Sequence, residues 1–176
     1  MSLKSSNPAL VRKYKDASRF IDDELNLNDR GEFGRSWRKI YPKELELKCE
    51  FQGERATYLE LDIQIVDNEF VYKLFDKRDD FPFHIVRMPD LSSNIPDHIF
   101  YGSFMAEVLR IGRASLRYFH FLPKIKDIYN RMLNQGGIAH KLHNTISKAL
   151  SRNPKISLKY GKDFQQILSD INNSHL

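Results

Sequence analysis

Residues 57–76 constrain the fold more than any other stretch of this chain. Leu59, Leu61, Ile63 and Ile65 alternate with Glu60, Asp62 and Gln64; Asp67-Asn68 follows, and Phe70, Val71, Tyr72, Leu74 and Phe75 return. Successive side chains of a strand point to opposite sides, so a period of two predicts strands with one apolar face. Asp-Asn is turn chemistry that tolerates the positive φ a tight connection needs. The expectation is a half-buried antiparallel β-hairpin. From Asp97 the period lengthens to that of helices, with Phe100, Phe104, Val108 and Ile111 along one stripe. A second helix is expected to start at Pro123, a favoured first-turn residue, to bury Ile125, Ile128, Tyr129, Met132 and Leu133, and to stop at Gly136-Gly137. A third covers 138–150, with Leu142, Ile146, Ala149 and Leu150 inward, and Asn153-Pro154 ends it. Asp163 is placed to cap a last amphipathic helix that uses Phe164, Ile167, Leu168 and Ile171.

The remainder is less periodic. Residues 1–15, broken by Ser5-Ser6-Asn7-Pro8, read as a flexible leader, and 20–27 fit either a strand or a helix. Turn formers fill 28–35, residues 36–41 suit a helical turn ended by Pro42, and Glu44 to Lys48 alternates like an edge strand. Pro82, Pro89 and Pro96 divide an irregular connection over 77–97. The chain is therefore expected to be α+β. Its parts are a leader (1–15), a sheet-bearing region with its connection (16–97), a helical bundle (98–152) and a C-terminal helix (153–176).

Charge is unevenly spread. Residues 1–97 carry 16 Lys and Arg against 19 Asp and Glu, whereas 98–176 carry 12 against 4, a net of +8. A polyanion would be held by the second part. The single Cys49 excludes an internal disulfide, and His140 and His143 lack a third ligand. No apolar run reaches the length of a membrane span and the N-terminus lacks a signal-peptide core, so an intracellular protein, nuclear or cytoplasmic and without membrane attachment, is expected.

Four blocks in a fixed order carry a family resemblance. These are Arg19-Phe20-Ile21-Asp22-Asp23; Tyr58-Leu59-Glu60-Leu61-Asp62-Ile63; the run from Leu74 to Phe83 followed by Ser92-Ser93-Asn94-Ile95-Pro96; and the basic helix from Ile99. Together they resemble the last part of a retroelement reverse transcriptase of the Penelope-like or related non-LTR kind, over roughly residues 19–150. The resemblance implies a truncated palm remnant, with a β-hairpin carrying aspartates at its tip, then the primer grip and a helical thumb-like bundle. It implies Asp22 and Asp23 as catalytic ligands of Mg²⁺, since hard cations take carboxylate oxygens and nucleotidyl transfer uses two of them. Phe20 stands where the family usually has tyrosine beside the primer. Glu24 departs from the usual apolar residue and needs a partner if buried. Alone, an aromatic-x-Asp-Asp string also describes a solvated acidic turn. The third carboxylate belongs to an upstream palm strand, as do the fingers, so weak or absent Mg²⁺ binding and no polymerisation are expected of this chain alone.

In the same frame Lys77 and Arg78 meet backbone phosphate, or Lys77 pairs with Asp79 or Asp80. Arg110, Arg113 and Arg117, at i, i+3 and i+7 of one helix, form a row matching phosphates along a strand, with Glu107 close enough to neutralise part of it. The expected function is that of a C-terminal fragment of an RNA-directed DNA polymerase. It would bind an RNA/DNA duplex, with the missing N-terminal fingers and palm as a further partner. The alternative is a domesticated, non-catalytic module that binds nucleic acid or another protein.

Overall fold

The computed structural model describes residues 17–27, 31–39, 41–83, 85 and 88–173; the leader expected at 1–15 lies outside them. The protein is α+β, with antiparallel hairpins followed by a helical region, and it divides into two compact units, one up to Tyr58 and one from Leu59.

In the first unit, β1 (Ala17–Phe20) and β2 (Asp23–Asn26) pair antiparallel, Phe20 opposite Asp23. This resolves the strand-or-helix ambiguity of 20–27. The short helix α1 (Glu32–Ser36) continues as a 3₁₀ turn over Trp37–Lys39, so helix begins earlier than the expected 36–41. β3 (Arg55–Tyr58) closes the unit. The edge strand expected at Glu44 to Lys48 does not form: Leu45 and Leu47 are exposed, and an alternating pattern with no face to bury gains nothing from extension.

The second unit opens with β4 (Leu61–Val66) and β5 (Glu69–Leu74), paired from Leu61 opposite Leu74 to Val66 opposite Glu69. Asp67 and Asn68 both have positive φ (50° and 63°), the turn that matches the twist of a two-residue hairpin. Leu59, expected within the strand, lies ahead of it with φ 48°. The polar face is not solvated throughout either, because Asp62 is buried.

Helices α2 (Asp97–Ala114), α3 (Tyr118–Asn134), α4 (Ala139–Arg152), α5 (Pro154–Tyr160) and α6 (Phe164–Asn172) follow. Phe100, Phe104, Val108 and Ile111 of α2 meet Phe121, Ile125 and Met132 of α3 and Leu142, Ile146 and Leu150 of α4 in one core. Each fully buried side chain of this size contributes about 1.5–3 kcal/mol. Leu74 from the hairpin, Met88 from the connection, and Ile156, Ile167 and Ile171 from the last two helices belong to the same core. The three helices of 98–152, expected to pack as a core of their own, thus share it with the hairpin, the connection and the last two helices. α3 starts at Tyr118, five residues before Pro123: the Arg117 carbonyl accepts from the amides of His120 and Phe121, and Pro123 then sits within the helix. Asn153-Pro154 ends α4 as expected, but Pro154 also opens α5, since its missing N–H is no loss at a first helical position. At the end of α3, Gly136 takes φ 86° and Gly137 N–H donates to Met132 O at 2.8 Å, closing the helix where the glycine pair predicted. α6 has a full capping box between Asp163 and Gln166.

Candidate nucleic-acid interface

Asp22 and Asp23 sit at the tip of the β1–β2 hairpin, both exposed, with Ile21 at φ 52° and its carbonyl accepting from Arg19 Nε at 3.2 Å. Phe20 beside them is also exposed. Glu24, next along β2, points to the other side of the strand, as the pleat requires. Its two oxygens accept from Asn26 Nδ2 (3.0 Å) and Tyr41 Oη (2.9 Å), which supplies the partners its burial demands. Burial raises the Tyr41 pKa and the Glu24 carboxylate raises it further, so this phenol stays protonated as donor. A Mg²⁺ pair needs three carboxylates on one side, and Glu24 is turned away and occupied. Among the described residues no three His, Cys, Asp or Glu side chains gather as a metal site. Among the described residues Asp22 and Asp23 thus offer two carboxylates, without a third beside them.

The arginine row is not continuous. α2 ends at Ala114, and Ser115 turns to extended backbone, placing Arg117 outside the helix. The break has a tertiary cause: Lys159 Nζ donates to the carbonyls of Gly112 (2.6 Å) and Ser115 (2.8 Å), and Tyr160 Oη donates to Ser115 O at 2.7 Å. The amide of Leu116 then donates to Tyr72 O in β5 at 3.0 Å. An ammonium on the last carbonyls also suits the negative end of the helix dipole.

Each member of the predicted row therefore has its own surroundings. Arg110 lies in a charged cluster, bonding Glu107 Oε2 at 2.8 and 3.0 Å and Glu60 Oε2 at 3.2 Å, with Asp76 Oδ2 at 3.7 Å. Burial works against its charge, but hydrogen bonds and attraction from Glu107 and Glu60 outweigh this and raise its pKa. Arg117 reaches Glu69 Oε2 at 3.3 Å. Arg113 is exposed and touches Asn153 Oδ1 at 3.4 Å, with no acid in reach among the described residues. Arg78 is spent in a two-pronged bond to Asp76, Nε to Oδ1 and Nη2 to Oδ2, both 2.9 Å. Lys77 is exposed beside it, at the start of a 3₁₀ turn over Lys77–Asp80.

The stretch 128–162 contains no Asp or Glu and seven Lys or Arg, a signal that its helical periodicity does not reveal. Arg131 is matched by Asp127 (3.0 Å), Lys141 by Asp97 (2.8 Å) and Lys162 by Asp170 (3.0 Å), all acids outside that stretch. Lys148, Arg152 and Lys155 are exposed at the passage from α4 to α5, with no ion pair to an acid among the described residues. The signal that finds them is the missing acids, not the basic residues. No helix among the described residues is long and apolar enough to cross a membrane. Compared with protein-family models, curated proteins and solved structures, the chain gave no match.

Proposed function

We propose that this chain is the C-terminal, nucleic-acid-holding part of a polymerase of reverse-transcriptase type. It binds a primer-template duplex through its helical region and does not polymerise by itself. One observation carries the binding reading: all four acids of residues 98–176 are committed inside the protein. Glu107 is held by Arg110, Asp127 by Arg131 and Asp170 by Lys162, and Asp163 caps α6. The excess positive charge of that half, apart from Arg117 and Lys141, which pair with Glu69 and Asp97, is then available to a polyanion, whose binding releases condensed counterions. Support for the polymerase reading is the order of the sequence blocks together with Asp22-Asp23 at an exposed hairpin tip. Among the described residues the carboxylate set is incomplete, which favours a binding role for the chain alone.

A second reading, a protein-binding module, is favoured by Phe81 and Phe83. Their rings lie 5.3 Å apart and both are exposed. The test is binding of an end-labelled RNA–DNA hybrid by the whole chain over a salt series. Affinity that falls steeply with salt and depends little on base sequence is expected. Absence of binding to hybrid, to duplex RNA and to heparin at low salt would overturn the nucleic-acid reading in favour of the protein-binding one.

A further inference from the structure

We infer that the duplex backbone is gripped at the corner where α4 passes into α5, by Arg113, Lys148, Arg152 and Lys155, and not along α2 by Arg110 and Arg117. The inference rests on the nucleic-acid reading above and assigns its contact surface. The contact between Arg113 and Asn153 brings the end of α2 to this corner, so cations from three helices converge there. All four side chains are exposed. Their polar neighbour is an amide, where an ordinary stabilising surface would interleave a carboxylate. Arg110 and Arg117, by contrast, already hold Glu107, Glu60 and Glu69.

Helix stabilisation does not account for the group. Arg113 and Arg152 lie in last turns, where a cation suits the dipole, but Lys155 lies in the first turn of α5, where it opposes it. Like charges kept together without a counter-charge cost folding energy, and a bound polyanion removes that cost. Spacing agrees with a phosphate chain. Lys148 and Arg152 are one turn apart on the same side of α4, about 6 Å along its axis, which spans roughly two phosphates of one strand. An exposed guanidinium adds the forked phosphate contact that a lysine cannot make.

The experiment measures anisotropy of an end-labelled RNA–DNA hybrid of about two helical turns with the whole chain and its variants. Four phosphate contacts predict an affinity loss of roughly 100-fold between about 50 and 200 mM salt. The variant R113Q/K148Q/R152Q/K155Q should lose this dependence while keeping the melting temperature of the parent. R110Q/R117Q should keep the salt slope. If the quadruple variant melts early, K148Q/K155Q replaces it and should lose about half the slope, one unit per contact. A parent that binds together with corner variants that bind equally well would overturn the corner and leave the nucleic-acid reading standing. A parent that fails to bind any duplex at low salt would overturn both. Corner-dependent binding of phosphatidylserine vesicles with no duplex binding would reassign the patch to a membrane surface and overturn the proposal.

Discussion

The Ile156 side chain lies directly against the backbone of Gly112: a Cβ at Gly112 would stand 2.9 Å from both Cδ1 and Cγ2 of Ile156. Both residues are buried, and the Gly112 carbonyl is held from the same side by Lys159 Nζ. This contact seats α5 on the last turns of α2. G112A should therefore destabilise the protein even though alanine is the better helix former. Overpacking costs about 1–3 kcal/mol against a propensity gain of up to about 1 kcal/mol. In an I156A background the obstruction is gone, and the same substitution should become neutral or stabilising. Urea denaturation of the four proteins of this cycle checks the sign change; additive effects would contradict the packing account.

The same contact explains why part of the fold was legible in the sequence and part was not. Asp67-Asn68 fixed the hairpin turn locally, Asp163 and Gln166 carried the cap of α6 three residues apart, and the Phe100 to Ile111 stripe needed only helical spacing. The end of α2 is different: Leu116 and Arg117 continue a helical pattern, and what stops the helix comes from Lys159 and Tyr160, more than forty residues later. The arginine row is interrupted before Arg117 for that reason. Asp62 is a similar case, since a period of two predicts which side a residue points to but not what covers that side. The charged corner was half legible, as a run without acids. Arg113 joined it only through the tertiary contact with Asn153.

His120 provides a pH test near neutrality. Its pKa is lowered first by burial and then by repulsion from Lys73 and Arg117, with Asp62 acting in the opposite direction. Its Nδ1 finds no hydrogen-bond partner among the described residues. The folded state thus binds the proton less well than the unfolded chain, so the neutral-His contribution is fully present above about pH 6.5 and is lost as pH falls below it. Urea midpoints of the parent should fall between about pH 7.5 and 5.5 more than those of H120Q. Equal falls in the two proteins would show that another group titrates.

At lower pH a second linkage operates, with the sign of a carboxylate. Asp170 Oδ2 accepts from Tyr118 Oη at 2.6 Å and from Lys162 Nζ at 3.0 Å, and these bonds, the tyrosine's first, lower its pKa. Its contribution is present above about pH 4 and disappears as pH falls through the depressed folded value. The advantage of the parent over D170N at neutral pH should therefore shrink on acidification. Y118F should remove part of it, because the hydrogen bond links α3 to α6. An advantage that persists into strong acid would mean that D170N acts by some route other than its charge.

The last prediction separates structure from binding at Arg110. Its guanidinium is three-quarters shielded and faces Glu107, Glu60 and Asp76, of which Asp76 is almost fully buried and shared with Arg78. Removing Arg110 leaves Asp76 and Glu107 with one cation fewer in a poorly solvated place, while Glu60 is open to water. R110A should then cost about 1.5–3 kcal/mol, the usual worth of hydrogen bonds to charged groups. Replacing Glu107 with glutamine should cost less, because Glu60 and Asp76 still hold the arginine. A group whose valence is already met by three acids has little left for phosphate, so R110A should lower the melting temperature while the salt slope of duplex binding, measured well below that temperature, stays at the parent value. R152Q should do the reverse, with little change in melting and a slope shallower by about one unit. Should R110A flatten the slope without loss of stability, the cluster would be a phosphate grip after all, and the division of labour between α2 and the α4–α5 corner would have to be reversed.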